Sequence, residues 1–269
     1  MDIGIGIRNM GPQSTRELMA ACAGAVEEIG FESIWITDHI AIPPDDAEGS
    51  GGRYLDTLTT LAWLAGITER VRLGSGVLIL PYRAALPTAK QIATVQELSG
   101  NRLVLGVGIG WMDPEFRALG VNRHSRGRIS DEVLAFLNDC FAQDEVEANG
   151  QKFLFKPRPQ KPPILIGGRA PHAIERAAKY GDGWFPTAKR PKDIVSALPK
   201  YRALTEAANK PLGQITVSTR LPLEDQQQTR ALCDQYRSLG VDRLVCGMRY
   251  DTIEEYRDQL ERLNSALQQ

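Results

Sequence analysis

Eight short β-rich runs, each followed by a stretch with the apolar spacing of a helix, alternate along all 269 residues, and nothing else in the chain narrows the possible folds as far. Ile3 to Ile7, Ser33 to Thr37, Val71 to Leu80, Leu103 to Val107, Ile164 to Ile166, Gly183 to Phe185, Ile215 to Thr219 and Arg243 to Cys246 read as the strands. Helices follow them at about 56–68, 87–98, 129–141, 171–180, 194–208, 224–239 and 253–267, and a first helix, opened by a capping box of Ser14 and Glu17, ends at Gly30. Short strands separated by helices require parallel pairing through crossovers, and a count of eight favours closure. The expected fold is α/β, a single (β/α)8 TIM barrel spanning 1–269 as one domain. Two stretches break the period: 111–125, read as loop with one short helix, and 146–163, an irregular excursion or hairpin.

Bulk properties restrict the partners. A formal net charge of -1 argues against nucleic acid or a membrane surface reached by bulk electrostatics, leaving a small-molecule substrate. Hydrophobic residues make up 42% of the chain, but no apolar run approaches the roughly 20 residues of a membrane span. Cys22, Cys140, Cys233 and Cys246 lie far apart and mostly in apolar runs, which reads as buried thiols in a cytoplasmic protein.

Chemistry in a parallel barrel collects at the carboxyl ends of strands. His39, one of three histidines, falls where the second strand opens into the Pro- and Gly-rich loop 41–53. Asp38 precedes it, and since adjacent residues leave a strand in opposite directions, the two are not expected to face one substrate. Gly74-Ser-Gly-Val77 interrupts the third strand, and two readings stand: a flat ring laid against the backbone, or a packing bulge at the barrel wall. Gly106, Gly108 and Gly110 lack the spacing of a dinucleotide fingerprint and are read as clearing space at the barrel mouth. Gly167-Gly168-Arg169, ahead of a helix, is the best anion site, and Lys189 with Arg190 would reach the same mouth. Arg126, Arg128 and Glu132 read as a structural ion-pair cluster at the rim. The scattered histidines make no metal site, and no nucleophile elbow is present.

Several segments in this order resemble the luciferase-like family of flavin-dependent oxidoreductases: Trp35 to His39, Leu73 to Val77, Leu105 to Trp111, Glu115 to Gly120 with Arg126 to Arg128, Pro163 to Gly168 and Ala177 to Trp184. The resemblance covers nearly the whole chain and implies a barrel that uses FMN or the deazaflavin F420. It implies that His39 is the catalytic histidine facing the reactive ring, and that Gly76 and Val77 stand where the family often has a non-prolyl cis peptide. It further implies that Gly167 and Gly168 contact phosphate, with Lys189 near a phosphate-contacting lysine of some deazaflavin members, and that Asp38, Gly108, Gly110 and Trp184 lie in the cofactor's surroundings. Trp111 stands where some deazaflavin sugar-phosphate dehydrogenases carry a glutamate, so a more apolar pocket is expected. The chain lacks the long insertions of luciferases, so light emission is not expected. F420 is preferred over FMN, on the short chain and the run from Gly110 to Phe116, and a homodimer is implied. A non-catalytic flavin-binding or sensing barrel and a cofactor-free barrel lyase or isomerase stand as alternatives.

Overall fold

A barrel strand presents one row of side chains to the surrounding helices and the other to the barrel interior, so its sequence must satisfy two packing problems at once. A computed structural model describes residues 1–187 and 190–268. Its strands are β1 (Asp2–Gly6), β2 (Ser33–Ile36), β3 (Arg72–Ile79), β4 (Leu103–Gly108), β5 (Glu145–Ala148), β6 (Gln151–Leu154), β7 (Ile164–Gly168), β8 (Gly183–Pro186), β9 (Gln214–Thr219) and β10 (Arg243–Cys246). All but β5 and β6 form a closed parallel barrel in which β10 returns to pair with β1. The expected TIM barrel is therefore the observed fold.

The helices are α1 (Arg16–Ile29), α2 (Thr57–Ile67), α3 (Ala85–Leu98), α4 (Asp113–Ala118), α5 (Arg126–Ala142), α6 (His172–Tyr180), α7 (Lys192–Val195), α8 (Leu198–Ala207), α9 (Gln226–Ser238) and α10 (Ile253–Gln268). The cap of α1 is Thr15 rather than Ser14: the Thr15 hydroxyl accepts from the Leu18 amide, while Ser14 is drawn off to the Gly11 carbonyl and Arg53. Gly30 closes α1 at φ 94°, in the left-handed region where glycine carries no Cβ penalty. The helix expected over 194–208 is two, because Pro199 sits at the first turn of a new helix, where a missing N–H costs nothing. The excursion contains the antiparallel hairpin β5–β6, turned by Asn149 and Gly150 at φ 52° and 74°. Two adjacent positive φ values are what a two-residue hairpin turn needs, and Asn-Gly supplies them.

Outward residues such as Ile5, Ile34, Leu73, Leu105, Ile166 and Val217 join the large core beneath the helices. The inward rows stack in layers. At the amino end, Arg243 is fully buried and makes two bonds to Glu32, at 2.9 and 2.8 Å. Above it Trp35, Val104, Leu165, Phe185 and Val245 form a separate apolar cluster inside the barrel. Trp35 fills its layer so completely that a Cβ on Gly4 or Gly74 would lie 2.4 or 2.3 Å from the indole. Gly74 therefore answers to packing, and a register shift between Ser75 and Leu78 supplies the bulge. Gly76 does something else.

Candidate functional site

Glycines occupy much of the interior row at the carboxyl end of the barrel. Following the register inward from Gly4, Gly74, Val104, Leu165 and Val245 puts Gly6, Gly76, Gly106, Gly108, Gly167 and Gly247 on the interior row at or next to the mouth. A cavity of about 710 Å³ opens there, with Gly6, Gly76 and Gly247 on its walls and Trp35, Phe185 and Val245 beneath. Trp35 and Phe185 meet edge to face at 5.5 Å, giving the cavity a rigid aromatic floor. The Gly76–Val77 peptide bond is cis, as the resemblance implies. Val77 turns away from the cavity and packs where side chains on Gly108 and Gly167 would have stood: Cβ atoms there would meet it at 2.6 and 3.0 Å. Gly110, at φ 74°, turns the chain into the segment before α4, and a Cβ there would press on Ile79 and Phe116.

His39 sits at the edge of this mouth, between Tyr54 and Trp111, with ring centroids 5.0 and 6.3 Å away. Its Nδ1 lies 2.9 Å from Oε2 of Glu115 on α4. Glu115 is fully buried, and its other oxygen accepts from the backbone amides of Ile40 and, at 2.9 Å, Ala41. Burial alone would raise the Glu115 carboxyl, but the bonds from His39 and the two amides outweigh it and hold the group at about 2. An ionised carboxylate accepts, so Nδ1 of His39 carries the proton and Nε2 remains for chemistry. No described residue hydrogen-bonds Nε2. The Tyr82 phenol is pushed up by burial and by Glu115, so it stays neutral beside the carboxylate, though its hydroxyl lies outside hydrogen-bond geometry. Trp111 and Ile40, 64% and 44% exposed, are the apolar surface around this histidine.

Asp38 does not belong to this group. It points behind the barrel wall, where it accepts two bonds of 2.7 Å from Arg83 and one of 2.8 Å each from the Thr57 hydroxyl and the Ile79 amide. Both oxygens are consumed, which replaces the expected cofactor contact with a structural tie between β2 and the segment after β3. Trp184 is corrected likewise: it is 2% exposed, faces outward, packs on Tyr201 and donates to the Gly168 carbonyl at 3.1 Å. Its contribution is to hold the glycine turn.

That turn leaves Gly168 at φ 134° and leads into α6, with Arg169 exposed and making no ion pair among the described residues. Lys189 lies outside the described residues. Beside α6 a groove of about 620 Å³ runs between the starts of α5 and α6, lined among others by Ile109, His124, Arg126 and His172. The expected rim cluster is divided: Arg128 pairs with Glu132 at 2.6 Å, while Arg126 reaches only the Arg123 carbonyl, and its buried Nε has no partner among the described residues. All four cysteines are free and buried, and no group of metal-ligating side chains occurs among the described residues. No described helix is long and apolar enough to cross a membrane.

Glu115 is the residue of the candidate site that motif reading by itself did not single out, although it opens one of the quoted segments. Its partner is 76 positions away, and α4 is too short to show a periodic face.

Known proteins resemble this chain along its length. An uncharacterized protein of Mycobacterium tuberculosis is 32% identical over 206 residues, covering 70% of this chain and 71% of that one. Among solved structures, monooxygenase RslO1 from Streptomyces bottropensis superposes with a TM-score of 0.82 at 20% identity, covering 100% of this chain and 99% of that one. An F420-dependent secondary alcohol dehydrogenase, solved in complex with an F420-acetone adduct, gives 0.83 at 14% identity over 99% of this chain and 98% of that one. Residues 4–266 match the family model described as luciferase-like monooxygenase. The chain belongs to the luciferase-like monooxygenase family.

Proposed function

We propose that the protein is an oxidoreductase that binds a flavin-type cofactor, F420 in preference to FMN, at the carboxyl mouth of the barrel and acts there on a small, largely apolar organic substrate. The observation that carries this reading is the glycine layer: a mouth walled by glycines of β1, β3 and β10 over an aromatic floor, with a carboxylate-anchored histidine at its edge. The residues fit a planar, phosphate-bearing group. Gly6, Gly76 and Gly247 leave a broad space that side chains would fill, and the unpartnered Nε of Arg126, with Gly167, Gly168 and Arg169, suits a phosphate. The preference for F420 rests on the run from Gly110 to Phe116, which resembles the deazaflavin subgroup.

The bound ring would supply the redox chemistry. The chain's own part is positional and acid–base. Glu115 fixes the Nδ1–H tautomer of His39, so Nε2 accepts a proton from a substrate hydroxyl in one direction and returns it in the other. Trp35 and Phe185 exclude water from the cavity floor, and Trp111 and Ile40 give the approach its apolar character. We expect a homodimer in the cytoplasm, as the family resemblance implies. The test is turnover: reduction of F420, and separately reoxidation of reduced FMN, followed by absorbance with a panel of small alcohols and aldehydes. Cofactor binding with no turnover on any of them would favour a sensing barrel instead.

A further inference from the structure

We infer that the substrate carries an oxyanionic group, a carboxylate or a phosphate, received by Arg8, Arg220 and Arg249; this rests on the reading above and names the substrate class for the same site. The three arginines leave the carboxyl ends of β1, β9 and β10, which are adjacent in the barrel, and all three line the mouth cavity. Across the rest of the molecule arginines are mostly committed: Arg83 to Asp38, Arg102 to backbone carbonyls, Arg176 to Asp131, Arg243 to Glu32. The guanidinium groups of Arg220 and Arg249 form no ion pair or hydrogen bond among the described residues, and Arg8 spends one nitrogen on the Gly49 carbonyl at 3.1 Å. Two guanidinium groups without a partner among the described residues and a third only partly engaged, along one sector of a cavity, leave donors in place for an anion.

Carboxylates line the same rim as well: Glu48, Asp251 and Glu255. Asp251 accepts from Gln13, and Glu255 accepts from the Asp251 amide at 2.7 Å; neither they nor Glu48 pairs with any of the three arginines. Gly247 lies under the Arg220 side chain, whose Cγ would be 3.6 Å from a Cβ there, so the guanidinium has room to swing over the cavity. The apolar floor and the arginine flank together describe an amphipathic ligand: a hydrocarbon or ring portion over Trp35 and Phe185, and an oxyanion toward β9 and β10.

The test is calorimetric titration of benzoate, phenyl phosphate and benzyl alcohol into the full chain, with and without saturating cofactor. At least one oxyanion is expected to bind about tenfold or more tightly than benzyl alcohol, to weaken with added salt, and to lose about tenfold in affinity in R220A and in R249A. Benzyl alcohol affinity should be unchanged in both variants, whose exposed positions leave the circular dichroism spectrum intact. The tighter of the two oxyanions names the group. No measurable oxyanion binding, affinity equal to that of benzyl alcohol, or oxyanion binding that survives the R220A/R249A pair would overturn the inference. Parallel titration with FMN and F420 separates the two readings: failure to bind either refutes the cofactor-dependent function, whereas the oxyanion comparison is decided by its own variants.

Discussion

At the scale of single residues, two acids that look alike in sequence part company in the structure. Asp38 adjoins His39 in the chain but faces away from it, as strand alternation requires, and its charge is spent on Arg83. Glu115, remote in sequence, is the acid that touches the histidine. His39→Ala should lower turnover by roughly 10²-fold or more, the usual contribution of a positioned acid–base group, with cofactor affinity little changed. Glu115→Gln should lower it less and also change the shape of the pH–rate profile, because the tautomer is no longer fixed; a proportional loss at every pH would mean that Glu115 only supports the fold. The low Glu115 value also has a stability consequence. A group held at about 2, against the ordinary 4.5, contributes stability that is complete above pH 4.5 and is lost as pH falls toward 2. Denaturant midpoints of wild type and Glu115→Gln should therefore differ most above pH 4.5 and converge as the solution is acidified; a constant gap would mean that the carboxylate is not stabilised in the folded state. Strand parity alone indicated that Asp38 and His39 diverge. The pairing of His39 with Glu115 was beyond sequence, since it depends on how the barrel brings α4 against the end of β2.

Elements were read from sequence as well as their local signals allowed. The excursion expected over 146–163 as irregular or a hairpin does hold a hairpin, though its Asn149-Gly150 turn went unread, and the Ser14-Glu17 pattern pointed one residue too early because Ser14 had competing partners in Gly11 and Arg53. Pro199 divided a helix that periodicity joined. The turn between β7 and α6 is the element to which the proposed function assigns the cofactor phosphate. Gly168 holds φ 134°, and a Cβ there would also meet Ala173 at 3.1 Å. Gly168→Ala should cost roughly 1–3 kcal/mol of stability and weaken cofactor binding, measured by thermal melts with and without F420. An unchanged melting temperature in the apo protein would show that the turn tolerates a side chain.

Across the whole molecule, the eight-fold alternation favoured a closed barrel over an open sheet, and the strands do close, β10 against β1. What the alternation could not reveal is which glycines serve packing and which serve the mouth. Gly4 and Gly74 yield their volume to Trp35, while Gly6, Gly76 and Gly247 yield theirs to the cavity, and only the layer each occupies tells them apart. Gly74→Ala should destabilise by roughly 1–3 kcal/mol through overpacking against the indole, seen as a lower urea midpoint without loss of cofactor affinity in the folded fraction. At the opposite end, Arg243 and Glu32 are 211 positions apart, and their pairing emerges only on closure. Arg243→Ala empties a fully buried position in the amino-end layer and leaves Glu32, among the described residues, only Arg72, at 3.7 Å, and should cost roughly 2–5 kcal/mol in a urea titration. The central claim, that the glycine layer receives a flavin-type ring, is tested most directly by equilibrium titration of the purified chain with F420 and with FMN, following quenching of tryptophan emission. Saturable micromolar binding of at least one, weakened at least about tenfold when Gly247→Leu fills the mouth, is the predicted result; micromolar binding of neither, or binding indifferent to the filled mouth, would contradict it.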